Sequence, residues 1–458
     1  MARAQVTDLV VVLPGILGSR LADAGGRAVW DLSGPALLRG LRGFTAAAGA
    51  LRLPKDTGDG DPGDGVVPVG LMPDLHALPG IWHPVDGYTD LLRWLERHFT
   101  LSVSDNLLTF PYDWRLSCRN GAERLKGRID LELERWRASA PGRREARVVF
   151  LCHGMGGLVA RHYVERLGGH EVTRRVITLG TPHRGSLRAL SDLVDGGGRR
   201  DPEIGAFARS LPSLHQLAPD DACMEGPGGL ARVRDLPGLP GVDEALLADA
   251  ARFHADLRST EPRADLYTIA GTGQPTASTA RYAEDRLALV SECDGDGTVP
   301  LPAGAGPVAG SWAVYEQHGS LQNNRAVREA LRGLLGEEAA LPAEASHLAE
   351  AGHLPDLVPA DPAAADPALA DPAARLGVRV PAVLPAGVPY EVTVTAPDDA
   401  RLLMAELRAA DGGRPVARPL RSLGGGRYAA AFPPPGPGAY RLSVGPVTAL
   451  SLIRRSAL

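Results

Sequence analysis

Residues 147–167, RVVFLCHGMGGLVARHYVERL, restrict the possible folds more than any other stretch of this chain. The run Val148–Cys152 is apolar without alternation, so both of its faces are buried, as in a parallel strand between two layers of helices. Gly156 and Gly157 follow, allowing a tight turn with close packing, and Leu158–Leu167 continues as an amphipathic helix. Similar apolar runs recur at 8–13, 104–110, 172–179 and 265–270, with helical segments between them. This alternation predicts an α/β architecture built on a mostly parallel sheet.

The chain has 458 residues, enough for more than one domain. An α/β domain is expected over 1–335, with cap segments inserted near 186–262, where helical and Pro/Gly-rich pieces interrupt the strand rhythm. Residues 336–376 are rich in Ala, Pro and acid and read as a linker. Short alternating runs separated by Gly/Pro turns over 377–458 predict a small antiparallel β-sandwich. The stretch DTGDGDPGDG at 56–65 lacks the ligand spacing and closing Glu of a calcium loop and reads as a plain mobile loop.

A net charge of -5 and the absence of a Lys/Arg block argue against nucleic-acid binding. No stretch reaches the roughly 20 apolar residues of a membrane span, and the N-terminus lacks the features of a signal peptide. Cys118, Cys152, Cys223 and Cys293 are scattered without metal-binding spacing, so reduced thiols and a cytoplasmic location are expected. His153, His162, His170 and His183 have no acid or cysteine partner at ligand spacing; they are read as packing, surface or supporting residues, with no metal and no cofactor expected.

The glycine-rich turn matches a nucleophile elbow, G-x-S-x-G, in outline only. Cys152 takes the first glycine position, His153 the next, Gly154 the serine position and Gly156 the last. LPGILGSRL (13–21) follows the first strand, and DGDGTVP (294–300) and EQHGSL (316–321) follow the turn, giving the chain order elbow, acid, histidine. Cys152 reads as a buried strand residue rather than a replacement nucleophile, and nothing places Ser19 or Ser320 at the attack point.

With VVVLPGILGSRL, FPYDWRLS, CHGMGGLVARHY, ITLGTPHRGS, DGDGTVP and QHGSLQNN in this order, residues 8–335 resemble the lecithin:cholesterol acyltransferase family, whose members are α/β-hydrolases. The resemblance implies that Asp296 is the triad acid, with Asp294 as fallback, and that His318 is the general base. It also implies that the N–H groups of Ile16 and Met155 form the oxyanion hole, and that Asp113 and Trp114 lie near the site and shape an acyl pocket. The departure from the family pattern is Gly154, which carries no nucleophile.

Two readings follow. One is a non-catalytic member that keeps the fold and binds a lipid, an acyl ester, or a protein partner through the sandwich. The other is an active acyltransferase or esterase in which His318 and Asp296 drive attack by water or by an unidentified group.

Overall fold

The computed structural model describes residues 3–31, 48–55, 57–73, 86–196, 202–226, 228–236, 238–258, 263–284, 286–304, 309–336, 377–381, 383–396, 403–409, 414–445 and 447–454. The linker expected over 336–376 lies outside them from residue 337 onward.

Six strands form the central sheet, in the spatial order Gly310–Tyr315, Asp265–Thr272, Thr173–Leu179, Val148–His153, Leu9–Leu13, Leu107–Thr109. Every neighbouring pair is parallel. The fold is an α/β-hydrolase type, and the period of two along each strand explains its layers. Leu9, Val11 and Leu13 share one buried cluster with Val148, Phe150 and Cys152, beneath the helices Cys118–Ala138 and Gly156–Arg166. Val10, Val12, Val149 and Leu151 face the opposite cluster, covered by Thr89–His98 and Arg325–Leu335. Leu91, Trp94 and Leu95 from the first of those helices, and Val327, Leu331 and Leu334 from the second, close that side. Both faces are therefore dry, which is why the strands lack a polar alternation.

Outside the sheet, helices Leu187–Asp195, Pro202–Arg209, Pro212–Gln216 and Glu244–Arg258 occupy the region expected to hold the cap. A second sheet of four strands accompanies them, in the order Arg286–Gly295, Gln274–Ala283, Ala222–Gly226, Gly229–Arg232. Its long hairpin, 274–295, has no counterpart in the sequence reading, because QPTASTARYA carries neither an apolar run nor a clean alternation. The acid-rich stretch after residue 56 is not a free loop. Asp64 pairs with Arg115 at 2.7 Å, Asp61 with Arg124 at 3.2 Å, and Ser117 donates to Asp59 at 2.5 Å.

The C-terminal sandwich stacks a four-stranded sheet on a five-stranded one. Its strand Tyr390–Thr395, YEVTVT, buries every second residue, and Tyr390, Val392 and Val394 meet Leu407, Leu442 and Val444 in one core. Pairing is antiparallel except between Val383–Pro385 and Val447–Arg454, which run parallel. The sandwich is joined to the rest of the chain by hydrogen bonds from Thr448 N–H to Glu316 Oε1 (3.1 Å), from Gln317 Nε2 to the Val378 carbonyl (3.2 Å) and from Val378 N–H to Gln274 Oε1 (3.3 Å).

Candidate active site

The turn after Val148–His153 stands at the carboxyl ends of the parallel strands, where open α/β sheets gather their ligands. Gly154 adopts φ of 50°, a left-handed conformation that is strained for a residue with a side chain. Its N–H donates to the Leu179 carbonyl at 2.9 Å, and its carbonyl accepts from Thr181 Oγ1 at 2.8 Å. The following helix approaches so closely that a Cβ on Gly157 would sit 2.1 Å from Thr181 Oγ1. The second glycine of the pair thus admits the helix at this depth.

His318 lies directly opposite Gly154. A Cβ built on Gly154 would be 3.2 Å from His318 Nε2 and 3.5 Å from the Gly15 Cα. His318 Nδ1 donates to Asp296 Oδ2 at 2.8 Å, and the carboxyl oxygen Oδ1 accepts from the N–H groups of Thr298 (2.9 Å) and Val299 (2.7 Å). Asp296 is buried, so these bonds replace its hydration, hold the carboxylate as an acceptor, and place the ring proton of His318 on Nδ1. The Nε2 lone pair is left facing Gly154. The backbone closes the same unit, with His318 N–H donating to the Asp296 carbonyl at 2.9 Å. Asp294 lies in the strand Arg286–Gly295, and its side chain is outside the described residues.

A chain of hydrogen bonds ties the Pro14–Gly18 loop to the turn bearing His318. Gly15 N–H donates to Tyr88 Oη at 2.9 Å, Tyr88 Oη lies 2.9 Å from His153 Nδ1, and His153 Nε2 lies 2.9 Å from the His318 carbonyl. A carbonyl only accepts, so in the neutral ring Nε2 carries the proton and Nδ1 accepts from Tyr88. The imidazoles of His153 and His318 lie 4.9 Å apart, tilted by 31°. Sequence alone offered no sign of Tyr88, whose partner is 65 residues away.

Ile16 and Met155 both line the cleft above Gly154, and among the described residues neither backbone N–H has an acceptor. Leu17, beside Ile16, is buried with φ of 66°, so a leucine holds a glycine-like conformation at the wall of the cleft. The cleft offers about 70 Å³ to solvent-sized atoms and opens to solvent at its mouth. Leu17, Met155, Pro182, Ala189, Leu217 and Val299 make its lining predominantly apolar.

Asp113 and Trp114 are placed elsewhere, outside the lining of this cleft. Asp113 forms a bidentate pair with the fully buried Arg115, at 2.7 Å between Oδ2 and the guanidinium, and Arg115 also reaches Asp64 and the Leu51 carbonyl. Trp114 is completely buried, donates to the Ser19 carbonyl at 3.2 Å and packs edge-on against Trp30 and Phe207. An aspartate, tryptophan and arginine in a row read as a site motif; here their polar atoms are spent on holding loops together.

No alternative nucleophile stands in the position left by Gly154 among the described residues. Cys152 points into the core with Val148 and Phe150, and burial raises its thiol far above neutrality. Burial also pushes Cys118 and Cys223 up to about 12. Ser19 Oγ accepts from Tyr112 N–H, and Ser320 is buried outside the cleft. Ser186 does line the cleft, but its hydroxyl caps the helix Leu187–Asp195 by accepting from Arg188 N–H and donates to the Thr298 carbonyl. No group of three His, Cys, Asp or Glu side chains able to hold a metal ion occurs among the described residues, and none of the described helices is long and apolar enough to cross a membrane.

Residues 84–204 match the sequence model of the lecithin:cholesterol acyltransferase family. No curated protein matches the chain. Among solved structures, the chain is similar to the mature form of the Bacillus licheniformis lipase BlEst2, with 12% identity over 72% of this chain and 92% of that one and a TM-score of 0.36. The propeptide form of the same lipase gives 11% identity over 97% of this chain and 73% of that one, with a TM-score of 0.33. A single-mutant endoglucanase of Alicyclobacillus acidocaldarius shares 22% identity over 17% of this chain and 15% of its own, with a TM-score of 0.15.

Proposed function

We propose, from the premise that the chain is a lecithin:cholesterol acyltransferase-like α/β-hydrolase, that its cleft binds an acyl ester or lipid without forming an acyl-enzyme. One observation carries the reading: where a serine hydroxyl would meet His318 Nε2 there is only the hydrogen of Gly154, with the Cβ position 3.2 Å from the ring nitrogen. Acyl transfer through a serine needs that hydroxyl to attack, His318 to take its proton, and two N–H donors to steady the oxyanion. In this reading Asp296 and His318 are the acid and base of that arrangement, and the Ile16 and Met155 N–H groups form its oxyanion hole. Removing the nucleophile from a triad leaves about 10³- to 10⁴-fold acceleration over water, supplied by binding and the oxyanion donors.

A second reading rests on the paired Asp296 and His318, at 2.8 Å with Nε2 facing the cleft: His318 deprotonates a water beside Gly154, and that water attacks the ester directly. Esterase assays on short- and long-chain acyl esters separate the two. Binding without turnover in the native protein, with activity appearing in Gly154→Ser, is the outcome expected. Native activity above background that His318→Ala abolishes would establish the water mechanism instead. We further propose a cytoplasmic location, supported by the free, buried thiols of Cys118, Cys152 and Cys223, and the sandwich as the surface for any protein partner.

A further inference from the structure

His318 is bracketed by contacts that lead to the sandwich. On its N-terminal side, Glu316 Oε1 accepts from Thr448 N–H and Gln317 Nε2 donates to the Val378 carbonyl. On its C-terminal side the link runs through Asp86. The Gly319 carbonyl accepts from Asp86 N–H at 2.7 Å, and the Asp86 carboxylate accepts from Arg441 Nη2. Gln322 Nε2, in the same turn as His318, donates to the Asp86 carbonyl at 2.7 Å.

Strand alternation puts Arg441 at this junction. In Gly438–Val444, Leu442 and Val444 enter the sandwich core, so Arg441 and Ser443 lie on the outer face, with Thr448 paired opposite Ser443. Asp86 is only 2% exposed, and a carboxylate so far from water is strongly unfavourable without a counter-charge. Arg441 supplies that charge from the other domain. Arg328, the nearby cation of the hydrolase domain, donates to Asn323 Oδ1. Asp90 and Glu316 also lie close enough to favour the charge of Arg441. Asp90 is exposed, and burial pushes the Glu316 carboxyl up to about 8, so at neutral pH Asp86 is the buried carboxylate that Arg441 meets.

We propose that Arg441 is a positioning residue for His318: by holding Asp86 in place it fixes the Gly319 carbonyl, and with it the imidazole that Asp296 orients toward Gly154. Stripped of Arg441, the Asp86 side chain turns toward water, and the backbone that holds Gly319 moves with it. The sandwich is then part of the site's support and not a separate appendage. The inference rests on the reading of His318 as the base of the site.

Proton NMR of the full chain tests it. The His318 Nδ1–H, bonded to Asp296, should give a far-downfield resonance, assigned by its loss in His318→Ala. Arg441→Met keeps the aliphatic stem and removes the charge. It should speed exchange of that proton with water by about 2- to 30-fold, the scale of coupling transmitted by a remote contact. Amide exchange in the sandwich core strand Tyr390–Thr395 should stay native, and Arg441→Lys should restore slow exchange at His318. Asp86→Asn, which spares the backbone N–H to Gly319, should act in the same direction and carries the test if Arg441→Met does not fold. Arg418→Ala, at an exposed position in the same sheet, should change nothing. Native exchange at His318 in the folded Arg441→Met or Asp86→Asn variant would overturn the inference while the Asp296–His318 unit stands. So would failure of Arg441→Lys to restore it, an equal acceleration at Tyr390–Thr395, or the same effect from Arg418→Ala. Absence of the downfield resonance from the native protein would overturn the reading of His318 itself.

Discussion

At Gly154 two local requirements meet, and both bear on what a serine there would do. The backbone is left-handed, with φ of 50°, and the Cβ position stands 3.2 Å from His318 Nε2, closer than most side-chain contacts allow. Gly154→Ser should therefore lower stability by about 1 to 3 kcal/mol, read as a fall in the urea midpoint with an unchanged slope. His318 must also withdraw by a few tenths of an ångström, which a crystal structure of the variant would reveal. Tyr88→Phe attacks the support instead of the vertex. It leaves the Gly15 N–H and His153 Nδ1 without their shared partner in a buried setting, at a cost of about 1 to 3 kcal/mol. In the Gly154→Ser background the same change should lower kcat more than it raises KM, because it loosens the loop and base rather than the ligand contacts. The glycine in the elbow was legible in the sequence; the Tyr88 link was not, since a hydrogen bond between residues far apart leaves no local pattern.

Among the elements, those packed on two sides were the easiest to read. Leu9–Leu13, Val148–His153 and Thr173–Leu179 are apolar throughout because helices cover both faces. The edge strand Gly310–Tyr315, GSWAVY, escaped notice because it mixes buried and partly exposed positions in a short run. The loop 110–117 gives the opposite lesson. Its Asp113, Trp114 and Arg115 are distinctive enough to suggest a pocket, yet the structure uses them to anchor the acid-rich loop through Asp64 and the short strand Ser19–Ala22 through the Ser19 carbonyl. Asp113→Ala, which leaves Arg115 buried with half its carboxylate partners, should destabilise the fold by about 3 to 5 kcal/mol in chemical denaturation. Ligand affinity in the material that remains folded should be unchanged, because neither Asp113 nor Trp114 lines the cleft.

Across the whole molecule, the junction between hydrolase and sandwich carries a titrating group. Glu316 is buried, accepts from Gln317 and Thr448 N–H groups and from Asn324 Nδ2, and burial pushes its carboxyl up to about 8 from the ordinary 4.5. A folded-state value above the unfolded one means that the folded form binds more protons between the two. The stabilisation is therefore complete below about pH 4.5 and is lost as pH rises through 8. Hydrogen exchange at Val378 and Thr448 should accelerate between pH 7 and 9 beyond its intrinsic increase, and Glu316→Gln should remove the excess. That the C-terminal residues form a sandwich was legible from their alternating strands, but their seat beside His318 was not, because it depends on contacts across a sequence gap of 61 residues.

The hydrogen-bonded chain Gly15–Tyr88–His153–His318 has a mechanical consequence. It braces one side of the cleft, tying the Pro14–Gly18 loop to the His318 turn through three hydrogen bonds. Ala189 and Leu217 line the cleft without taking part in this chain of hydrogen bonds. Under the proposed reading, a bulkier ligand would be accommodated on the Ala189 and Leu217 side, leaving the spacing between His318 and Gly154 as it is.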